Sequence, residues 1–209
     1  KEVKEKLGYK KVVLAGWSGG GSLSLYYQSQ AENPTVISTP AGDPPNLKEA
    51  GLVQSEGLML LAAHCSRATT LTEWLDPSIE DESKPHIRNH EYNLYDSDNP
   101  NQPPYNDEFI LKYREKQIER NRRITSWALD VLASFKGDPT KEFAFVVQGT
   151  MADPRWLDST QEPNDRKQGW CYLGDPRVVN DSPIGLSRYT SIRSWLSQFS
   201  YDLSEADGE

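Results

Sequence analysis

Five residues constrain the fold of this chain more than any other feature. Gly16-Trp17-Ser18-Gly19-Gly20 stands between a nearly continuous apolar run, Lys11-Val12-Val13-Leu14-Ala15, and a segment of helical character over residues 22–32 that stops at Asn33-Pro34. An apolar run without alternation reads as a strand buried on both faces, as in a parallel sheet. A second run of this kind covers residues 57–63, Gly-Leu-Met-Leu-Leu-Ala-Ala. Strand, tight glycine turn, helix and a second buried strand together predict α/β architecture for residues 1–76. Before the first strand, Val3 and Leu7 share a helical face and Gly8 supplies a stop.

The glycines of the turn have a physical reading. A side chain at Gly16 or Gly20 is expected to collide with the neighbouring strand or helix, and the sharp turn forces Ser18 into a strained backbone conformation. The strain lifts the Ser18 hydroxyl above the sheet, and the N–H groups at the start of the following helix face it. The Gly19 N–H is placed to donate to a developing oxyanion. This is the context that the G-x-S-x-G nucleophile elbow requires. Two other readings stay open: a strand–helix turn in which Ser18 is only an N-cap, and a phosphate-cradling loop. The latter lacks the G-K-[ST] ending of a P-loop and the G-x-G-x-x-G spacing of a dinucleotide fold.

The rest of the chain reads as mainly helical and loop-rich. Residues 35–55 form a loop rich in Pro, Gly and Asp, and residues 67–75 a short helix ending before Asp76-Pro77. Residues 76–106 are polar, Pro-rich and without periodicity; loops that long are usually functional or mobile. Residues 107–135 are the strongest helix, with Phe109, Tyr113, Ile124, Ala128, Val131 and Phe135 at helical spacing. The middle of that helix, residues 114–123, is almost wholly charged or polar. It predicts a solvated face with i, i+4 pairs on a helix that is bent or split. Residues 142–147 suit either a strand or a helix, residues 153–182 are irregular, and residues 186–203 predict an amphipathic helix.

Lys10-Lys11-Val12-Val13-Leu14-Ala15-Gly16-Trp17-Ser18-Gly19-Gly20-Gly21-Ser22 resembles the nucleophile segment of the α/β-hydrolase superfamily. Leu71-Thr72-Glu73-Trp74-Leu75-Asp76-Pro77 and Gly149-Thr150-Met151-Ala152-Asp153-Pro154-Arg155-Trp156 resemble a lidded, esterase-like branch of it. The resemblance implies a partial α/β-hydrolase fold, with residues 57–63 as the sixth strand. It further implies a helical lid over residues 77–200 and a return towards the core at residues 201–209. The activity it implies is that of a serine hydrolase, cleaving a carboxylic ester or related acyl compound through an acyl-enzyme on Ser18. No cofactor and no metal are needed. A non-catalytic binding protein on the same fold and an acyltransferase using the same serine are the alternatives.

The base and acid that a serine nucleophile needs are harder to find. The family order is serine, acid, histidine, and the histidines are His64, His86 and His90. His64 directly follows the second strand, a place near the mouth of the site that makes it a candidate base, but it precedes any acid in that order and reads rather as a polar or partly buried loop residue. Ser18, Asp76 and His90 obey the order but put the base on a Pro-rich loop. Asp153 reads as a turn or cap residue. The expectation is therefore that this sequence is a piece of a longer chain, with acid and histidine beyond Glu209 and the second oxyanion donor before Lys1. Trp17 lines the acyl pocket or packs on the neighbouring strand. Trp127, Trp156, Trp170 and Trp195 shape a cavity or pack the lid.

Composition limits the partners. The charged residues, 23 basic and 31 acidic, give a net charge of −8, which argues against general nucleic-acid binding. No apolar run approaches the ~18 residues of a membrane-spanning helix, and the start shows no basic segment followed by an apolar one. Cys65 and Cys171 lack metal-ligand spacing and read as free thiols in a reducing, cytoplasmic setting.

Overall fold

The structure is a computed structural model that describes residues 1–150 except 95, 97 and 103, together with residue 157 and residues 188–200. It mixes helices with two small sheets, a loosely α/β arrangement, and divides into two compact units, Lys1–Thr70 and Leu71–Glu209. Among the described residues no helix is long and apolar enough to cross a membrane.

The first unit holds α1 (Glu2–Glu5), β1 (Val13–Trp17), α2 (Gly19–Glu32) and β2 (Gly57–Leu61). β1 and β2 pair in parallel, with Val13 opposite Gly57 and Trp17 opposite Leu61, and α2 packs on them. β1 lies two residues further along than the apolar run indicates, so that Gly16 and Trp17 end the strand. Burial on both faces is not met: Val13, Met59, Leu60 and Leu61 are all exposed. Polar clamps hold the segment before β2. Lys4 reaches Glu56 at 2.5 Å, and Glu56 accepts the Val12 N–H at 2.7 Å. These bonds, the one to Lys4 foremost, hold the Glu56 carboxyl below the usual carboxylate range. Gln28 on α2 accepts from the Ser55 amide and hydroxyl at 2.9 and 2.7 Å.

The second unit is organised by one long helix. α3 (Arg67–Trp74) leads into it, and α4 runs unbroken from Asp107 to Ser134, with Asn106 capping its N-terminus through the Phe109 N–H at 2.8 Å. β3 (Ala144–Val147) pairs antiparallel with β4 (Arg188–Ser191), and α5 (Ile192–Gln198) follows. The ambiguous segment 142–147 thus holds a strand, and the described residues of the expected helix over 186–203 form a strand and a short helix, because β4 completes its backbone bonds against β3.

The middle of α4 has the expected solvated face, with Glu115, Glu119, Arg122 and Arg123 exposed, but its other side is not solvated. Gln117, Arg120 and Asn121 are buried, and they continue the stripe of Phe109, Tyr113, Ile124, Thr125 and Ala128 at helical spacing. Each buried polar group has acceptors waiting. Gln117 donates to the Glu73 and Leu75 carbonyls at 2.7 and 2.8 Å. Asn121 donates to Thr72 Oγ1 and the Phe199 carbonyl, both at 2.8 Å, and Trp195 donates its indole N–H to Thr125 Oγ1 at 3.0 Å. The pairs Lys112–Glu108 and Lys116–Glu119 do lie on the exposed side.

Arg120 is the hub of this polar core. Its Nε and Nη2 meet the two Glu82 oxygens at 2.7 Å each, Nη1 donates to the Asp76 and Gly149 carbonyls, and Nη2 to the Gln148 carbonyl. All five guanidinium protons thereby find acceptors, which fastens the loop beyond α3 to α4. The Pro-rich stretch 76–106 is accordingly not wholly loose: Asp76, Ser78 and Ile79 are fully buried, and Ile79 pairs with Arg88.

Candidate functional site

The backbone at the end of β1 builds the site. Ser18 follows the strand at φ 54°, ψ −125°, a positive φ that a non-glycine residue adopts only at a cost of about 1–3 kcal/mol. The Ser18 N–H donates to the Leu61 carbonyl at 3.0 Å, so the turn is held by the last residue of β2. Beyond β2, Ala62 also has a positive φ, 44°, and the chain then brings the His64 N–H to the Ser18 carbonyl at 3.1 Å. Two strained turns at the carboxyl ends of two paired parallel strands thus face one another, the place where open α/β sheets gather their ligands.

The side chains follow from that frame. Ser18 Oγ lies 3.2 Å from His64 Nε2, and both residues are half-buried. Ser18 occupies the N-cap position of α2 but makes no side-chain cap bond to it. His64, which the sequence alone presents as a loop residue, is the histidine that meets the serine. Its place directly after the second strand, three residues past the end of β2, is the sequence signal that sets it near the mouth of the site; the family order of acid before histidine is what counts against it. Among the described residues no ion pair includes His64; the arrangement is a dyad.

The glycines divide differently from expectation. A Cβ on Gly16 would stand 2.3 Å from the Gly20 carbonyl oxygen, so this position must stay bare. At Gly20 there is open space instead, and the expected collision there is corrected. It is Gly21 that is closed, since a Cβ there would come within 2.2 Å of the Ala63 Cβ. The difference comes from the helix: Gly21 points at the segment beyond β2, while Gly20 points away from it. Gly19 opens α2, where helix geometry leaves the N–H without an intrahelical acceptor. Trp17, the last residue of β1, is 73% exposed.

The other candidates are engaged elsewhere. Asp76 is fully buried, with Oδ1 accepting from the Ser78 amide and hydroxyl and Oδ2 from Arg88. His90 is exposed and its Nδ1 meets Asp96 at 2.7 Å. The Asp98 amide and the His90 ring hold Asp96 below the usual carboxylate range. Asp76 and His90 therefore do not form an acid–base pair. His86 is exposed. Trp195 is a fully buried core residue, and Trp127 packs edge-on against Phe145 at 4.9 Å. Asp153, Trp156, Trp170, Cys171 and residues 201–209 lie outside the described residues. Cys65 is a free, exposed thiol. Among the described residues no group of three or more His, Cys, Asp or Glu could hold a metal ion. Comparison of the chain with family models, with curated proteins and with solved structures finds no match.

Proposed function

We propose that the first unit carries a serine-nucleophile site of the α/β-hydrolase type, cleaving a carboxylic ester or related acyl compound. The observation that carries this reading is the 3.2 Å approach of Ser18 Oγ to His64 Nε2 at a serine with positive φ. A nucleophile within hydrogen-bond reach of a base is the minimum that nucleophilic catalysis asks for. The strained backbone is a cost that a merely structural serine has no reason to bear.

With the imidazole proton on Nδ1, Nε2 accepts the Ser18 proton as Oγ attacks the acyl carbon. The carbonyl electrons move onto oxygen, and the Gly19 N–H at the start of α2 donates to that oxyanion. The ester C–O bond then breaks, the leaving alkoxide takes the proton from Nε2, and an acyl-enzyme remains. Water repeats the sequence through His64 and releases the acid. In this reading the second unit is the helical insertion, and no metal or organic cofactor takes part.

The test is labelling with a fluorophosphonate, followed by peptide mapping, and release of p-nitrophenol from short-chain esters. Label on Ser18, and loss of both label and turnover in a folded Ser18→Ala variant, are the expected results. A wild-type chain that neither labels nor turns over, or a Ser18→Ala chain that keeps turning over, overturns the reading. Added alcohols that divert the acyl group into new esters would identify transfer in place of hydrolysis.

A further inference from the structure

Gly21 lies in the first turn of α2 and is buried, with the end of β1 on one side and the segment beyond β2 on the other. Both neighbours come closer than a side chain allows. A Cβ on Gly16 would stand 2.7 Å from the Gly21 Cα, and a Cβ on Gly21 would stand 2.2 Å from the Ala63 Cβ and 3.1 Å from its Cα. Carbon atoms in ordinary contact are about 3.5–4.0 Å apart. The Ala63 methyl therefore occupies the space that a side chain at position 21 would fill. Glycine inside a helix is less stable than alanine, so α2 by itself gives no reason for it.

The same glycine shares an acceptor with the histidine. The Ser18 carbonyl takes the Gly21 N–H at 3.0 Å and the His64 N–H at 3.1 Å. Ala63 thus sits on Gly21 while the amides of Gly21 and His64 converge on one oxygen. The chain enters this segment through Ala62 at φ 44°, directly after Leu61 ends β2. Only Ala62 and Ala63 separate the strand from His64. A shift of Ala63 therefore passes to the His64 backbone and from there to Nε2, 3.2 Å from Ser18 Oγ.

We infer that Gly21 is a positioning residue of the proposed acyl-transfer site: its bare Cα seats Ala63 and so holds the His64 imidazole at the Ser18 hydroxyl. This assignment rests on the reading of Ser18 and His64 given above. Gly21 touches no substrate and moves no proton. It acts through the histidine, so its effect falls on the proton transfer and not on substrate binding. A methyl added at position 21 drives the segment back by more than about 1 Å, a misplacement of the size that lowers enzymatic rates by about 10²-fold.

The experiment moves one methyl between the two positions in the full chain. It measures kcat and KM for p-nitrophenyl butyrate, with spontaneous hydrolysis subtracted and turnover expressed per folded molecule from urea unfolding. Gly21→Ala puts two methyls in the contact and lowers kcat by about 10- to 100-fold, with KM within about threefold. Ala63→Gly leaves none and lowers kcat by a smaller factor. The double variant Gly21→Ala/Ala63→Gly has one methyl again and regains at least about tenfold over Gly21→Ala. The approach left in it, 3.1 Å to the Ala63 Cα, asks the segment to give only slightly. A merely structural contact moves the urea midpoints and leaves kcat per folded molecule where it was. A folded Gly21→Ala variant with kcat within about threefold of the wild type, a loss carried by KM, or a double variant no faster than Gly21→Ala overturns the assignment. Should Gly21→Ala fail to fold, Ala63→Gly and the double variant carry the comparison. The double variant is then expected to be the faster, and an equal or reversed order overturns the assignment. In each of these cases Ser18-dependent label and turnover keep the acyl-transfer reading intact. If the wild type neither turns over esters nor labels at Ser18, that reading fails and the role of Gly21 fails with it.

Discussion

His64 holds Ser18 at two points at once: its amide N–H donates to the Ser18 carbonyl at 3.1 Å, and its Nε2 stands 3.2 Å from Ser18 Oγ. Backbone and side chain of the same residue therefore fix the turn and face the hydroxyl. A substitution confined to the ring tests the second contact and spares the first.

His64→Gln keeps the backbone bond and removes the base. Turnover of an activated ester falls by about 10²- to 10⁴-fold, the usual contribution of a positioned general base. The urea midpoint changes little, since the ring is half-buried. Steady-state kinetics paired with denaturation on one preparation reads both quantities. Unchanged turnover would remove His64 from the site.

Gly16 and Gly20 answer oppositely to alanine. Gly16→Ala forces a methyl to within 2.3 Å of a backbone oxygen that has no rotamer to yield, and it costs about 3 kcal/mol. Gly20→Ala meets open space inside α2 and gains about 0.5–1 kcal/mol from the stiffer unfolded chain and better helix propensity. Urea unfolding of the two variants beside the wild type decides this by the sign of the shift.

Arg120→Met keeps apolar volume but leaves Glu82 and the carbonyls of Asp76, Gln148 and Gly149 without their donor. Breaking a buried pair from one side costs about 3–5 kcal/mol. Glu82→Gln costs less, about 1 kcal/mol, because the Glu82 side chain is about a third exposed and water can replace it. Thermal unfolding monitored by near-ultraviolet circular dichroism reports the second unit through Trp195. Equal shifts for the two variants would contradict Arg120 as the hub.

Burial pushes the Tyr105 phenol up to about 12 from its ordinary value of 10. The folded chain therefore keeps a proton that the unfolded chain loses over this range. The stabilising contribution is complete below pH 10 and is lost as pH rises towards 12. Tyr105→Phe removes that dependence, so the alkaline decline of stability becomes shallower. Phenolate absorbance read against pH in wild type and variant measures the titration directly. A Tyr105 that ionises with the exposed tyrosines would refute it.

How far the sequence reaches can be judged residue by residue. Apolar runs marked both strands of the first unit, and Gly16-Trp17-Ser18-Gly19-Gly20 marked the turn between β1 and α2, because local steric rules act over a few residues. Helical periodicity marked α4 through Phe109, Tyr113, Ile124 and Ala128. The same count passed over Gln117, Arg120 and Asn121, because periodicity weighs apolar side chains and is blind to polar ones whose acceptors come from distant loops.

The sequence by itself determined that Ser18 sits in a glycine-lined turn after a strand, and that a long helix dominates the later part of the chain. Both follow from interactions between near neighbours. Tertiary structure alone decided that His64, 46 positions along the chain, meets the Ser18 hydroxyl, and that Arg120 is a buried hub. Each of these depends on parallel pairing or on a loop folding back to a helix. Such contacts are set by chain closure over long separations, which no local pattern of residues encodes.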